Sequence, residues 1–146
     1  MLREVLHLGV TWQNSRERFY IWQQFIKLLY IHLKDVIEID DFYYKLLYSA
    51  SKQLEKQNPK RVIIESYLEL LDYEGRLYFD FNCFICDKPI ENKLVLKRSF
   101  LPSHYDCLFG HKFDKNSIKE VFKTKSTLTI DNSEVDLLWE ILQEGI

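Results

Sequence analysis

From Ser15 onward the apolar residues recur at three- and four-residue steps, with Phe19, Trp22, Phe25, Ile26, Leu29 and Leu33 on one side of a helical wheel. Asn14 or Ser15 offers a capping side chain, and Lys27, Lys34 and Asp35 fall on other faces. The spacing predicts a long helix over about 15–34. Asp40 or Asp41 can cap a second helix, whose apolar face is Tyr43, Leu46, Leu47, Ala50 and Leu54 and which fades in the polar run KQLEKQN. Asn58-Pro59 then places a capping side chain before a proline at the first helical position. Val62, Ile63, Tyr67, Leu70 and Leu71 give the third helix its apolar side, and Gly75 is a natural stop. Three amphipathic helices with short connections predict a mainly α chain built as an antiparallel bundle.

Beyond Gly75 the period changes. Leu77–Phe81 alternates and Leu94-Val95-Leu96 reads as a short strand, which together predict a small β element. Asp114 or Asn116 can cap a short helix carrying Ile118, Val121 and Phe122. Ser126 to Ile130 alternates again, as a strand or an extended connector. Asp131-Asn132-Ser133-Glu134 is a capping-box signature, and Val135, Leu138, Trp139 and Leu142 form the apolar face of a last helix. Residues 2–12 are apolar, in part β-branched and aromatic, and fit a short strand or a helical lead-in equally well.

The chemistry is concentrated between Cys83 and His111, in CFICDKPIENKLVLKRSFLPSHYDCLFGH. All three cysteines lie there with two of the four histidines. Cys83 and Cys86 form a C-x-x-C pair, which presents two sulfurs from one tight turn. Cys107 follows with His104 three residues before it and His111 four after. Three thiolates and one imidazole suit a tetrahedral structural Zn2+ site. His104-x-x-Cys107 repeats the first pair's spacing, and Pro102 suits a second turn; Cys107-x3-His111 also lies within finger spacing. His104 is the preferred fourth ligand. Cysteines are often no more than small buried hydrophobes, but these sit in one short stretch beside polar turn residues. A redox C-x-x-C belongs at a helix start within a βαβ pattern, and none precedes it here. A catalytic zinc keeps one open position, whereas four candidate ligands are present. The expected organisation is one helical domain over 1–146 with a zinc-knuckle subdomain inserted over 77–113.

Composition narrows the function classes. A chain of 146 residues with 47% apolar and 15% aromatic residues has ample material for one core. It has no apolar run of membrane-spanning length, and MLREVLHLGVTW lacks the features of a signal peptide. A cytoplasmic, reducing setting is therefore expected, where disulfides are improbable. The net charge of −2 hides an asymmetry: from Lys88 to Lys125, nine Lys/Arg face four Asp/Glu, leaving +5 there and −7 on the remainder. A solvated lysine-rich surface is the common meaning of such a bias. Lys93, Lys97, Arg98, Lys112 and Lys115 are the candidate contacts to nucleic acid or to an acidic partner. Lys52, Lys56, Lys60 and Arg61 form a weaker second cluster. No phosphate-binding glycine loop, dinucleotide fingerprint, nucleophile elbow or H-E-x-x-H is present, and four glycines leave little material for one. Cys107 with a neighbouring histidine is a poor nucleophile–base pair, since such pairs are seldom adjacent in sequence. The expectation is a non-enzymatic protein; His7 and His32 have no partner pattern.

The order of these features resembles the C-terminal region of the bacterial RecO recombination mediators, above all the shorter and more divergent members. The resemblance runs through VLHLG, the helix SRERFYIWQQFIKLLYIHLK, the Asn58-Pro59-capped RVIIESYLELLDYEG, CFIC and HYDC. It covers essentially the whole chain, with only the zinc pairs as specific motifs. It implies a helical region with a zinc knuckle that acts in DNA repair and homologous recombination. The implied partners are RecR-like and single-strand-binding proteins, with single-stranded DNA as a further candidate. In the family the second pair is C-x-x-C, so His104 would be a histidine replacement at matching spacing. The N-terminal OB-fold of the family is absent from this sequence, and DNA contacts borne by that barrel are not implied for these residues. Lys93, Lys97, Arg98, Lys112 and Lys115 would be the phosphate or acidic-tail contacts. The alternative is a zinc-stabilised protein-interaction module without nucleic-acid binding.

Overall fold

The computed structural model describes Trp12 and residues 15–146. Among them are five α-helices and three short strands, so the chain is mainly α with one small antiparallel sheet. Helix α1 is Arg16–Leu33, α2 Asp41–Gln53, α3 Pro59–Tyr73, α4 Lys115–Thr124 and α5 Asn132–Leu142; the strands are β1 Lys93–Lys97, β2 Leu101–Ser103 and β3 Phe113–Asp114.

Each helix begins on a side chain that accepts an otherwise unpaired N–H. Ser15 accepts from Arg18, Asp40 from Phe42, Asn58 from Lys60 and Arg61, Asp114 from Ser117, and Asp131 from Glu134. Pro59 occupies the first turn of α3, where its missing N–H removes nothing. At the other end of α3, Gly75 adopts φ +71 while its N–H reaches Asp72 O and that of Arg76 reaches Leu71 O. This is the paired closure of a Schellman cap, and it needs the left-handed conformation that glycine supplies.

Helix α3 organises the packing. Val62, Ile63, Ile64, Tyr67, Leu68, Leu70 and Leu71 are all fully buried, so apolar side chains leave it in nearly every direction. It packs against α1, α2 and α5. The face of α2 is the one expected from its sequence. That of α1 is rotated: Ile21, Trp22, Phe25, Leu29 and Leu33 are buried, whereas Phe19 is 36% exposed and Ile26 only partly buried. An i, i+4, i+8 row from Ile21 meets α3 better than a row started at Phe19.

Strand β1 is the centre of the sheet, ordered β2-β1-β3 with both pairings antiparallel. Val95 pairs with Ser103, Leu96 with Pro102 and Lys97 with Leu101; Lys93 pairs with Asp114 and Leu94 with Phe113. A 3-10 turn at Arg98–Phe100 joins β1 to β2, with Ser99 at φ +64 and Phe100 at φ +54. That turn drives Phe100 inward, where its ring meets Tyr67 of α3 edge-on at 5.0 Å and stacks near Phe122 of α4 at 6.2 Å. Phe81 also stacks on Phe122, at 5.6 Å.

Two expected extended segments are corrected. Leu77–Phe81 forms no strand: Phe81 takes φ +50, and the only pairing nearby is the single bridge Asn82–Pro89. Alternation there reflects two inward anchors, Leu77 and Phe81, around exposed Tyr78 and Phe79. Residues 126–130 form a turn closed by Ile130 N–H on Thr127 O. Its geometry comes from α3: Arg61 donates to Thr127 O, Ile130 O and Asn132 Oδ1, and Glu65 accepts from the Thr127 N–H and hydroxyl. The strand or helical lead-in expected over 2–12 lies outside the described residues apart from Trp12. That indole is buried, stands 5.3 Å from Trp22 and donates to Ser51 O at 2.6 Å.

Candidate metal centre

Two short turns face each other across the outer end of the sheet. In the first, Cys83 N–H donates to Lys88 O and Asp87 N–H returns to Cys83 O, with Asp87 at φ +61 closing the loop. Aspartate tolerates this left-handed position better than most residues. In the second, the N–H groups of Cys107 and Leu108 both reach His104 O. The turns are held together by Phe84 N–H on Pro102 O, which fixes the first loop to β2.

The consequence is convergence. One ligand atom from each of Cys83, Cys86, His104 and Cys107 lies within 4.8 Å of all the others, a cluster that can hold a metal ion. His104 Nδ1 is 3.2 Å from Cys86 Sγ and 4.0 Å from Cys107 Sγ. The ring's other nitrogen, Nε2, is 3.0 Å from Pro89 O. A carbonyl can only accept, so Nε2 carries the proton and Nδ1 turns its lone pair to the sulfurs. This is the outer hydrogen bond that commonly sets the tautomer of a metal-bound histidine. Zn–S and Zn–N distances of about 2.3 and 2.0 Å imply tetrahedron edges of roughly 3.5–3.8 Å, and the separations seen fall around them. The donor set fits a borderline-soft ion of this kind. His111, the other candidate, packs edge-on against Phe113 at 4.7 Å and is not one of the cluster.

The sulfurs are electrostatically unequal. Burial opposes a charge on Cys83, but N–H groups of Cys86, His104 and Ile85 and the Ser103 hydroxyl outweigh it and bring the thiol down to about 5. The His104 N–H lies 3.4 Å from that sulfur and Ser103 Oγ 3.7 Å. Cys107 is pushed up to about 11 by desolvation and by its two sulfur neighbours. His104 is raised by its bond to Pro89 O and by the adjacent sulfurs. Cys83 is thus prepared as a thiolate, and crowding around Cys107 is relieved when a cation enters between them. All three cysteines are free, with Cys83 buried, Cys107 half-buried and Cys86 exposed.

The five candidate cationic contacts divide. Lys97 Nζ donates to Phe109 O at 2.7 Å, and Lys112 Nζ stands 4.2 Å from the centre of the Tyr105 ring. Since Tyr105 and Phe109 lie together at 5.3 Å, these two lysines share one patch beside the second turn. Lys93 is 3.8 Å from Asp114 Oδ1, and Lys115 opens α4 with its N–H on Asn92 O. Arg98 faces elsewhere, lining a cavity of about 590 Å3 with Lys27 and His32 of α1 and the last residues of the chain. The sequence reading passed over the apolar residues between the ligands. Phe84 and Ile85 in the first turn are 43% and 52% exposed, and Phe109 just beyond the second is 77% exposed. The available signal was the placing of large apolar residues in loops too short to bury them.

No helix among the described residues is long and apolar enough to cross a membrane. No family model matches the chain, and no curated protein matches it.

Proposed function

We propose that this chain is a zinc-stabilised, non-enzymatic region of a RecO-type recombination mediator, acting in the cytoplasm in DNA repair. On this reading the helices form an antiparallel bundle that meets RecR-like and single-strand-binding proteins. The basic end around the metal adds contacts to single-stranded DNA. The observation that carries the reading is the meeting of Cys83, Cys86, His104 and Cys107 at one point. These stand at the positions that the family resemblance pairs, with His104 replacing the cysteine that usually opens the second pair. Zinc is the ion favoured by three thiolates and one imidazole with no ligand position left over, an arrangement that serves structure rather than catalysis.

The test has two readouts on the purified protein. Metal analysis is expected to give one zinc per chain, removed by chelator with loss of thermal stability. Binding to labelled single-stranded DNA is expected at low salt and should weaken steeply as salt rises, since phosphate contacts release counterions. Zinc without any DNA binding would select the interaction module that meets only proteins. Absence of metal, with stability indifferent to chelator, would reject the family reading.

A further inference from the structure

The two metal-binding turns present their largest side chains outward. Phe84 and Ile85 lie between Cys83 and Cys86, Tyr105 lies between His104 and Cys107, and Phe109 follows two residues later. Each is at least 36% exposed, and Phe109 is 77% exposed. Large exposed apolar side chains gathered on such short turns mark a candidate interaction surface. Its chemistry narrows the occupant. Tyr105 and Phe109 are tilted by 54° at 5.3 Å and so are not stacked face to face. Lys112 stands over the Tyr105 ring, and Lys97 is held against the backbone of Phe109 by its bond to the carbonyl. A largely exposed Phe109 ring with two ammonium groups nearby complements a flat, polarisable base attached to a phosphate. An aliphatic protein groove would call for neither cation.

We propose that Phe84, Tyr105 and Phe109, flanked by Lys97 and Lys112, form a stacking surface for unpaired nucleotides. The bases pack on the rings, and the lysines meet the phosphates on either side. The metal's part is mechanical: by fixing both turns at one point it holds the rings in place, so recognition is preorganised. Base faces are hidden in a duplex, so the surface selects unpaired strands, and it does so with little sequence preference because every base has a π-face. The proposal rests on the DNA-binding part of the function proposed above and gives that contact a place and a mode.

The experiment uses the whole chain with its metal content measured, and fluorescence anisotropy at low salt. The probes are a labelled oligothymidylate, an abasic oligomer of equal charge, and a duplex. Oligothymidylate should bind more tightly than both others. Phe109→Ala and Phe84→Ala should each weaken it about five- to tenfold, with the salt dependence and the metal content unchanged. Phe109→Tyr should restore binding. Lys97→Ala and Lys112→Ala should instead lower the salt dependence. Equal affinity for the abasic and thymidylate oligomers, with both phenylalanine variants unaffected, would overturn the stacking surface yet leave backbone DNA binding in place. No binding of any oligomer by folded, metal-loaded protein would overturn both, and the exposed rings would then belong to a protein interface.

Discussion

His104 is defined by what its two nitrogens face. Nε2 gives its proton to Pro89 O, so Nδ1 has nothing left to donate and points at two sulfurs. His104→Ala should therefore lower bound metal severalfold in competition with a chromogenic chelator, whereas His111→Ala should leave it unchanged. Equal loss in both variants would return the fourth ligand to the ambiguity of the sequence. A second residue-scale device lies at the end of α3. Glu74 is nearly buried and accepts from Tyr43 at 2.6 Å, His32 at 2.8 Å and Arg76 at 2.7 Å, while Arg76 also donates to Ser99 at the β1–β2 turn. Burial alone would raise its carboxyl, but the Tyr43, His32 and Arg76 bonds outweigh it and hold it below the ordinary range. A depressed folded value contributes stability that is complete above the unfolded value, near about 4.3. That contribution is lost as pH falls through the folded value. Glu74→Gln should cost about 2 kcal/mol at neutral pH, and the gap to wild type should close in acid. Urea midpoints at both pH values measure this, and a gap that persists in acid would mean the carboxylate charge is not what stabilises.

At the scale of elements, the sequence was most legible where a cap and a period agree. Asp40, Asn58, Asp114 and Asp131 start their helices as the side-chain chemistry requires, and the buried set of α2 is the expected one. The metal cluster was legible for a related reason, because two-residue spacing within each pair fixes local geometry whatever surrounds it. What failed was alternation without a partner. Leu77–Phe81 and residues 126–130 have strand-like patterns, yet a strand exists only beside another strand, and the sequence does not carry that information locally. The 126–130 turn is instead shaped by Arg61 and Glu65, more than sixty residues earlier in the chain. Arg61→Ala would strip hydrogen bonds from two backbone carbonyls and the Asn132 side chain at once. A loss of about 2–3 kcal/mol is expected, with faster amide exchange concentrated at Ile130 and the start of α5. Faster exchange spread evenly over the chain would show that Arg61 acts on global stability rather than on this turn.

Over the whole molecule, the end that carries the Cys3His cluster and the helices share one interior. Cys83, Phe81, Ile90, Leu94, Leu96, Phe100 and Phe113 belong to the same buried cluster as the apolar faces of all five helices. The rings make the continuity explicit, since Phe81 and Phe100 both pack on Phe122 and Phe100 reaches Tyr67 in the middle of α3. An inserted knuckle with its own small core would melt apart from the helices. On the proposed zinc-stabilised reading, withdrawing the metal should free the turns at Cys83 and Cys107, unseat Phe81 and Phe100, and leave the side of α3 facing them without cover. Chelation should therefore lower the melting temperature of the entire chain, and calorimetry should record one transition before and after. Far-ultraviolet circular dichroism would follow the helices through the same midpoint as the near-ultraviolet signal of the aromatic residues. A low-temperature step in the near-ultraviolet alone, with helices persisting above it, would mean that the rings at this junction are packed but not coupled. The metal would then organise only the outer turns and the stacking surface they carry.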